Sequence, residues 1–109
     1  MTSAARTTLD RTTLKEVMNI PQPVLDGVAR AAYEHLSTGA LDTAEVLARG
    51  LVAADHCHWY YRTLLAGALV SAGRTTEALE VLDEGLRLSP ENRDLLAMRD
   101  VVGCIRRND

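Results

Sequence analysis

The stretch Asp55-His56-Cys57-His58-Trp59-Tyr60-Tyr61-Arg62 gathers two of the chain's three histidines, one of its two cysteines, its only tryptophan and two of its three tyrosines. Imidazole and thiolate are metal ligands and, when paired and oriented, base and nucleophile. His56, Cys57 and His58 are adjacent, so their side chains fan apart, and a structural zinc site takes two spaced ligand pairs. The sequence holds no second pair. A Cys–His couple also needs a third orienting group and oxyanion donors, and no motif supplies them. Glu45, Glu77 and Glu80 fall on helical stretches without a second carboxylate spaced for acid–base work, and they read as solvated faces. No Gly-rich phosphate loop occurs. The stretch therefore reads as a structural joint, with no enzyme, metal or cofactor expected. A metal-responsive module centred on His56, Cys57 and His58 is the competing reading.

The elements that must position this joint are helical. The chain has 109 residues, 47% of them hydrophobic, with a formal net charge of −3. That suits one folded domain rather than a disordered chain. Ala and Leu dominate the apolar residues, and Phe is absent, a composition that favours helix. Basic residues are scattered except for Arg106-Arg107, so no footprint for nucleic acid is expected. Cys57 and Cys104 lie too far apart to suggest a disulfide framework. The beginning, MTSAARTTLDRTTLKEV, lacks the apolar segment of a signal peptide. No apolar run approaches the roughly 20 residues of a membrane span. A soluble, reducing, cytoplasmic setting is expected.

Residues 1–8 are polar and are expected to fray. Residues 9–18 read as a short helix, with Thr13 and Glu16 at capping-box spacing and Leu14, Val17 and Met18 as its apolar face. Asn19-Ile20-Pro21-Gln22-Pro23 stops it, and Pro23 suits the first turn of the next helix. Helical periodicity then runs over about 24–38, 41–54, 58–72, 75–88 and 91–106, broken at Gly39, at the His-Cys-His joint, at Gly73 and at Ser89-Pro90. No segment alternates as a strand does.

Gly39 to Gly73 spans 34 residues, as does Ala44 to Ala78. A 34-residue helix–turn–helix period is that of tetratricopeptide (TPR) repeats. Residues 1–23 are expected to form a tail and short helix, and 24–109 a TPR-like domain with repeats 25–58 and 59–92. In the second repeat Ala66, Ala78 and Gly85 would let two helices approach, Leu65, Leu69 and Leu82 would fill the space between them, and Gly73 would make the turn. In the first, Gly39, Leu41 and Ala44 fit, whereas Ala48 stands where a large residue is usual and His56 where proline is. The helix at 91–106 carries Leu95, Met98, Val102 and Ile105 on one stripe, with polar Arg99 and Asp100 and small Gly103 where a following helix would pack. It reads as a capping helix. The expected fold is all-α, a TPR-like solenoid of helical hairpins.

The residues Ala32-Tyr33-Glu34-His35-Leu36, Gly39, Ala44-Glu45, Leu51, Asp55-His56 and Arg62 resemble the first repeat of the type III secretion class II chaperones, which hold translocator proteins. Leu14-Lys15-Glu16-Val17 resembles the short helix that precedes their repeats, and Asn19-Ile20-Pro21 the break after it. The resemblance covers residues 13–90. The chain departs from the family in ending after one helix of a third repeat, and in having Ala54 before Asp55-His56 where the family has leucine. What the resemblance implies is a cytoplasmic chaperone that binds an extended segment of a secreted protein.

In such folds the first helix of each unit lines a concave groove. The register puts Asp26, Arg30, Tyr33, Ser37, Tyr60, Thr63, Leu64, Gly67, Val70, Met98 and Val101 there. Arg30 is the lone cation among them, so the Lys–Asn–Arg carboxylate clamp of other TPR domains is missing. An extended peptide with apolar anchors fits better, Tyr33 and Leu64 offering pockets and Gly67 allowing close backbone approach. Two repeats bury little, so self-association is expected, with a symmetric homodimer as the default and Leu14, Val17 and Met18 as its contact. Asp55 is expected to cap the helix after the joint or to close its turn, and one of Trp59, Tyr60 and Tyr61 to stay exposed. A general TPR scaffold or oligomerisation module is the alternative to the chaperone.

Overall fold

The computed structural model describes residues 12–108. The expected fraying segment and the first residues of the N-terminal helix lie outside them. Among the described residues every regular element is helical: α1 (Leu14–Met18), α2 (Gln22–Ser37), α3 (Leu41–Ala54), α4 (Trp59–Ser71), α5 (Thr75–Leu88) and α6 (Arg93–Asn108). From α2 onward each helix packs antiparallel on the next.

The punctuation of the sequence has clear local causes. Gly39 and Gly73 adopt φ of +86° and +81°, the left-handed region that a residue without a Cβ enters at little cost. Both sit in turns that reverse the chain between paired helices. Thr13 Oγ1 accepts from the Glu16 N–H and caps α1. Asn19, at φ +54°, ends that helix and lets Ile20 fold against the core. Asn92 Oδ1 accepts from the Leu95 N–H, so α6 begins at Arg93 rather than at 91. α2 begins at Gln22, two residues before the expected start, because Pro21 and Pro23 are tolerated where no intrahelical donor is required.

The core runs through the stack as one cluster. Its α2–α3 part is built largely from small side chains, Ala29, Ala32 and Ala48, with Leu25 and Leu51. Its α4–α5 part is larger, with Leu65, Leu69, Leu79 and Leu82 around Ala66 and Ala78. Leu95 and Val102 tie α6 to it, each 1% exposed. Small residues at the crossing points set the close approach of paired helices, and the leucines fill the remaining space.

The stack is asymmetric. α2 packs on α4, and α4 on α6, whereas the backbones of α3 and α5 do not meet. Closer approach on one side bends the stack, so α2, α4 and α6 form its inner face and α3 and α5 its outer side. The short α1 packs on α3. Its Leu14, Val17 and Met18 are exposed, Val17 and Met18 by 70% and 63%. No helix among the described residues is long and apolar enough to cross a membrane.

Candidate functional site

The joint between α3 and α4 is held by its own reactive-looking residues. His58, not Asp55, caps α4: its Nδ1 accepts from the Tyr60 N–H at 3.3 Å. Asp55 instead ends α3, its N–H bonded to Leu51 O, and its carbonyl accepts from the His58 N–H. The correction follows from distance along the chain. The cap must lie immediately before the first helical residue, and α4 starts at Trp59. The His58 ring lies flat against Tyr61, with centroids 4.0 Å apart. Tyr61 is 1% exposed, and its hydroxyl accepts from Gln22 Nε2 at 3.1 Å. Burial raises the Tyr61 pKa above the ordinary phenol value. Cys57 and Cys104 are both exposed. Among the described residues no three His, Cys, Asp or Glu side chains converge as a metal-holding group.

Arg62 has a role that sequence spacing did not reveal. It is 5% exposed. Its Nε donates to His56 O at 2.9 Å, and its Nη1 to Val81 O at 3.1 Å and Glu84 Oε2 at 3.3 Å. One guanidinium thus ties the joint to α5. Gly85 makes room for it: a Cβ there would lie 2.7 Å from Arg62 Cδ and 3.0 Å from Leu95 Cδ1. The clue in the sequence was an arginine in the first turn of an otherwise apolar helix, three residues after Trp59.

On the outer side four charges close a ring between α3 and α5. Glu45 bonds Arg49 at 2.8 Å and Arg74 at 2.6 Å, and Glu77 bonds Arg74 at 2.8 Å and lies 3.6 Å from Arg49. The Arg49 guanidinium holds the Glu45 carboxyl below its ordinary value of 4.5, and Arg74 does the same for Glu77. Glu77 and Glu45 in turn raise Arg74. The two glutamates therefore meet in space, but both stay ionised, opposite to what a general acid at neutral pH requires. Asp83 pairs with Arg99 at 2.6 Å and fastens α6 to α5.

The inner face carries two adjoining hollows that share Tyr60. The first, about 320 Å³, lies between α2 and α4 and is lined by Asp26, Ala29, Arg30, Tyr33, His58, Tyr60 and Tyr61. The second, about 400 Å³, lies between α4 and α6 and is lined by Trp59, Tyr60, Thr63, Asp94, Ala97, Met98 and Val101. Of the residues expected there, Asp26, Arg30, Tyr33, Tyr60, Thr63, Met98 and Val101 come together. Ser37, Leu64, Gly67 and Val70 do not line either hollow.

Leu64 belongs to the core, 4% exposed. Gly67 serves helix packing: a Cβ on it would sit 3.2 Å from Leu36 Cδ2, so its smallness lets α2 settle on α4. Val70 packs against the core, and Ser37 is exposed at the end of α2. His58, Trp59, Tyr61, Ala29, Asp94 and Ala97 line the hollows in addition. Trp59 is the more exposed of the joint's aromatics, at 38%, and meets Tyr60 edge to face.

No protein-family model matches the chain, and no curated protein matches it either.

Proposed function

We propose that this chain is a non-catalytic protein-binding module that holds an extended, apolar-anchored segment of another protein across the inner face of α2, α4 and α6. The observation that carries the reading is the placement of the aromatics. The chain has four, Tyr33, Trp59, Tyr60 and Tyr61, and all four line the two adjoining hollows. Aromatic side chains give large contact area at low entropic cost and dominate binding hot spots. The hollows are contiguous through Tyr60, which suits a ligand that crosses α4 rather than a compact molecule in one cavity.

In its specific form the proposal is a TPR-like cytoplasmic chaperone of the type III secretion class II kind. It would mask apolar residues of a secreted or translocator protein until export. The 34-residue spacing and the short helix before the repeats support this form. A second reading, a general scaffold or oligomerisation module, is favoured by the exposure of Leu14, Val17 and Met18 on α1.

Trp59 provides the test, since it is the only tryptophan and sits on the second hollow. Capped octapeptides with a Leu-Ala-Val-Leu core are titrated against the protein while its emission is followed. A saturable blue shift, lost in a Met98→Asp variant, is the expected result. Unchanged emission together with no calorimetric heat for any peptide would sink the groove reading. A chaperone's melting temperature also rises with peptide concentration, because a ligand of the native state stabilises it. A scaffold instead sediments as an oligomer without peptide, and changing Val17 and Met18 to Asp dissociates it.

A further inference from the structure

We propose that the segment held on the inner face carries a basic side chain, seated in the α6 hollow against the rings of Trp59 and Tyr60 and the carboxylate of Asp94. This deepens the groove reading above and rests on it. The two hollows differ in charge. The first is lined by an acid and a base, Asp26 and Arg30, so its formal charges offset and it favours neither sign. The second has Asp94 as its one formally charged lining residue. The Asp94 carboxylate has no hydrogen-bond or ion-pair partner among the described residues. Its place in the first turn of α6 stabilises the negative charge without cancelling it.

The rings add a second attraction for a cation, independent of the carboxylate. Trp59 and Tyr60 meet edge to face, with centroids 5.7 Å apart and planes inclined at 69°. Two rings so inclined wall a corner of the hollow. The face of an aromatic ring attracts positive charge, and indole does so most strongly among side chains. Trp59 is 38% exposed, so part of its surface is open to a ligand. Met98 and Val101 line the same hollow and suit the aliphatic stem of a lysine, whose ammonium then lies by the rings and the carboxylate. A neutral apolar side chain would use the aliphatic wall but cover Asp94 without a counter-charge, which costs free energy. An acidic one would meet repulsion from both Asp94 and the ring faces.

The single tryptophan makes the test specific, because expression with fluorotryptophan alters Trp59 alone. Fluorine withdraws electron density from the ring face and weakens its hold on a cation while leaving its size almost unchanged. The probes are capped octapeptides with the same Leu-Ala-Val-Leu core, carrying either Lys or norleucine immediately before or after it. Norleucine is lysine without its amino group. Affinities for the wild type, the fluorotryptophan protein and Asp94→Asn are measured by calorimetry, with circular dichroism confirming that each folds. The readout is the affinity ratio of the Lys peptide to its norleucine partner. In the wild type this ratio is expected to exceed one at one flank of the core. There fluorination should lower it roughly twofold, and Asp94→Asn roughly threefold. If the peptides bind and the ratio exceeds one at neither flank, or either change leaves it alone, the basic seat is wrong and the groove reading survives. If none of the peptides binds, both fall.

Discussion

The outer side of the stack and its inner face are built from similar residue types and spend them differently. Between α3 and α5 the charges answer one another in the ring of Glu45, Arg49, Arg74 and Glu77, and Arg62 beneath them spends its donors on backbone carbonyls and Glu84. On the inner face the aromatics crowd into two hollows, and Arg30 and Asp94 have no partner among the described residues. Groups already satisfied within the fold contribute to stability and have little left for a ligand. Groups left open add little stability and remain available for binding. The difference predicts that substitutions on the two sides separate in their effects.

The largest effect belongs to Arg62. Arg62→Ala removes three hydrogen bonds and leaves His56 O and Val81 O without that donor, which should cost about 3 kcal/mol. Urea unfolding measures it. A loss below about 1 kcal/mol would mean that water replaces the guanidinium, and the outer side would then be no better satisfied than the inner one. Gly85→Ala comes next, at about 2 kcal/mol, because its Cβ meets Arg62 and Leu95 in an already filled space. The pair should be non-additive, since removing Arg62 first makes room for the new methyl.

Tyr33→Ala should do the opposite. Tyr33 is 56% exposed, so its loss should change stability by no more than about 0.5 kcal/mol. It lines the first hollow, and its loss should weaken an apolar-anchored octapeptide about tenfold. Unfolding and calorimetry on the same preparation decide it. If stability falls and affinity holds, Tyr33 is a packing residue and the division between the two sides fails at its clearest position.

Much of this division is written in the 34-residue period. Gly39 and Gly73 announced the turns and took the left-handed conformation, and the rows 26-60-94 and 33-67-101 follow from the same spacing. The sequence does not say how deeply one helix sits on another. Gly67 lets α2 settle toward α4, and Leu64, one turn away, is covered, although its helical angle alone placed it in the groove. Arg62 was hidden for a related reason. An arginine is usually exposed, and its burial here depends on Gly85, which only the packed α4–α5 pair brings beside it. Of the two places expected for Asp55, the cap of α4 went to His58 because the helix starts at Trp59, while Asp55 closes the turn through its backbone carbonyl.

The smallest effect tests the ring itself, through pH. Glu45 and Glu77 have folded-state pKa values below the ordinary 4.5, Glu45 chiefly through Arg49 and Glu77 through Arg74. A carboxyl whose pKa is depressed by folding binds its proton more weakly when folded than when unfolded. Its stabilising contribution is therefore complete above the unfolded pKa and declines as pH falls through the folded one. Stability should hold from neutral pH to about 5 and decrease below 4.5, with these two residues supplying part of the slope. In a Glu45→Gln/Glu77→Gln variant that part is absent, so the curves of the variant and the wild type should converge on acidification. Salt should reduce the difference at neutral pH, because the ring is partly exposed. Curves that stay parallel from pH 7 to pH 3 would show that the ring stores no pH-linked stability. The outer charges would then be as uncommitted as Arg30 and Asp94, and the contrast between the two sides would rest on Arg62 alone.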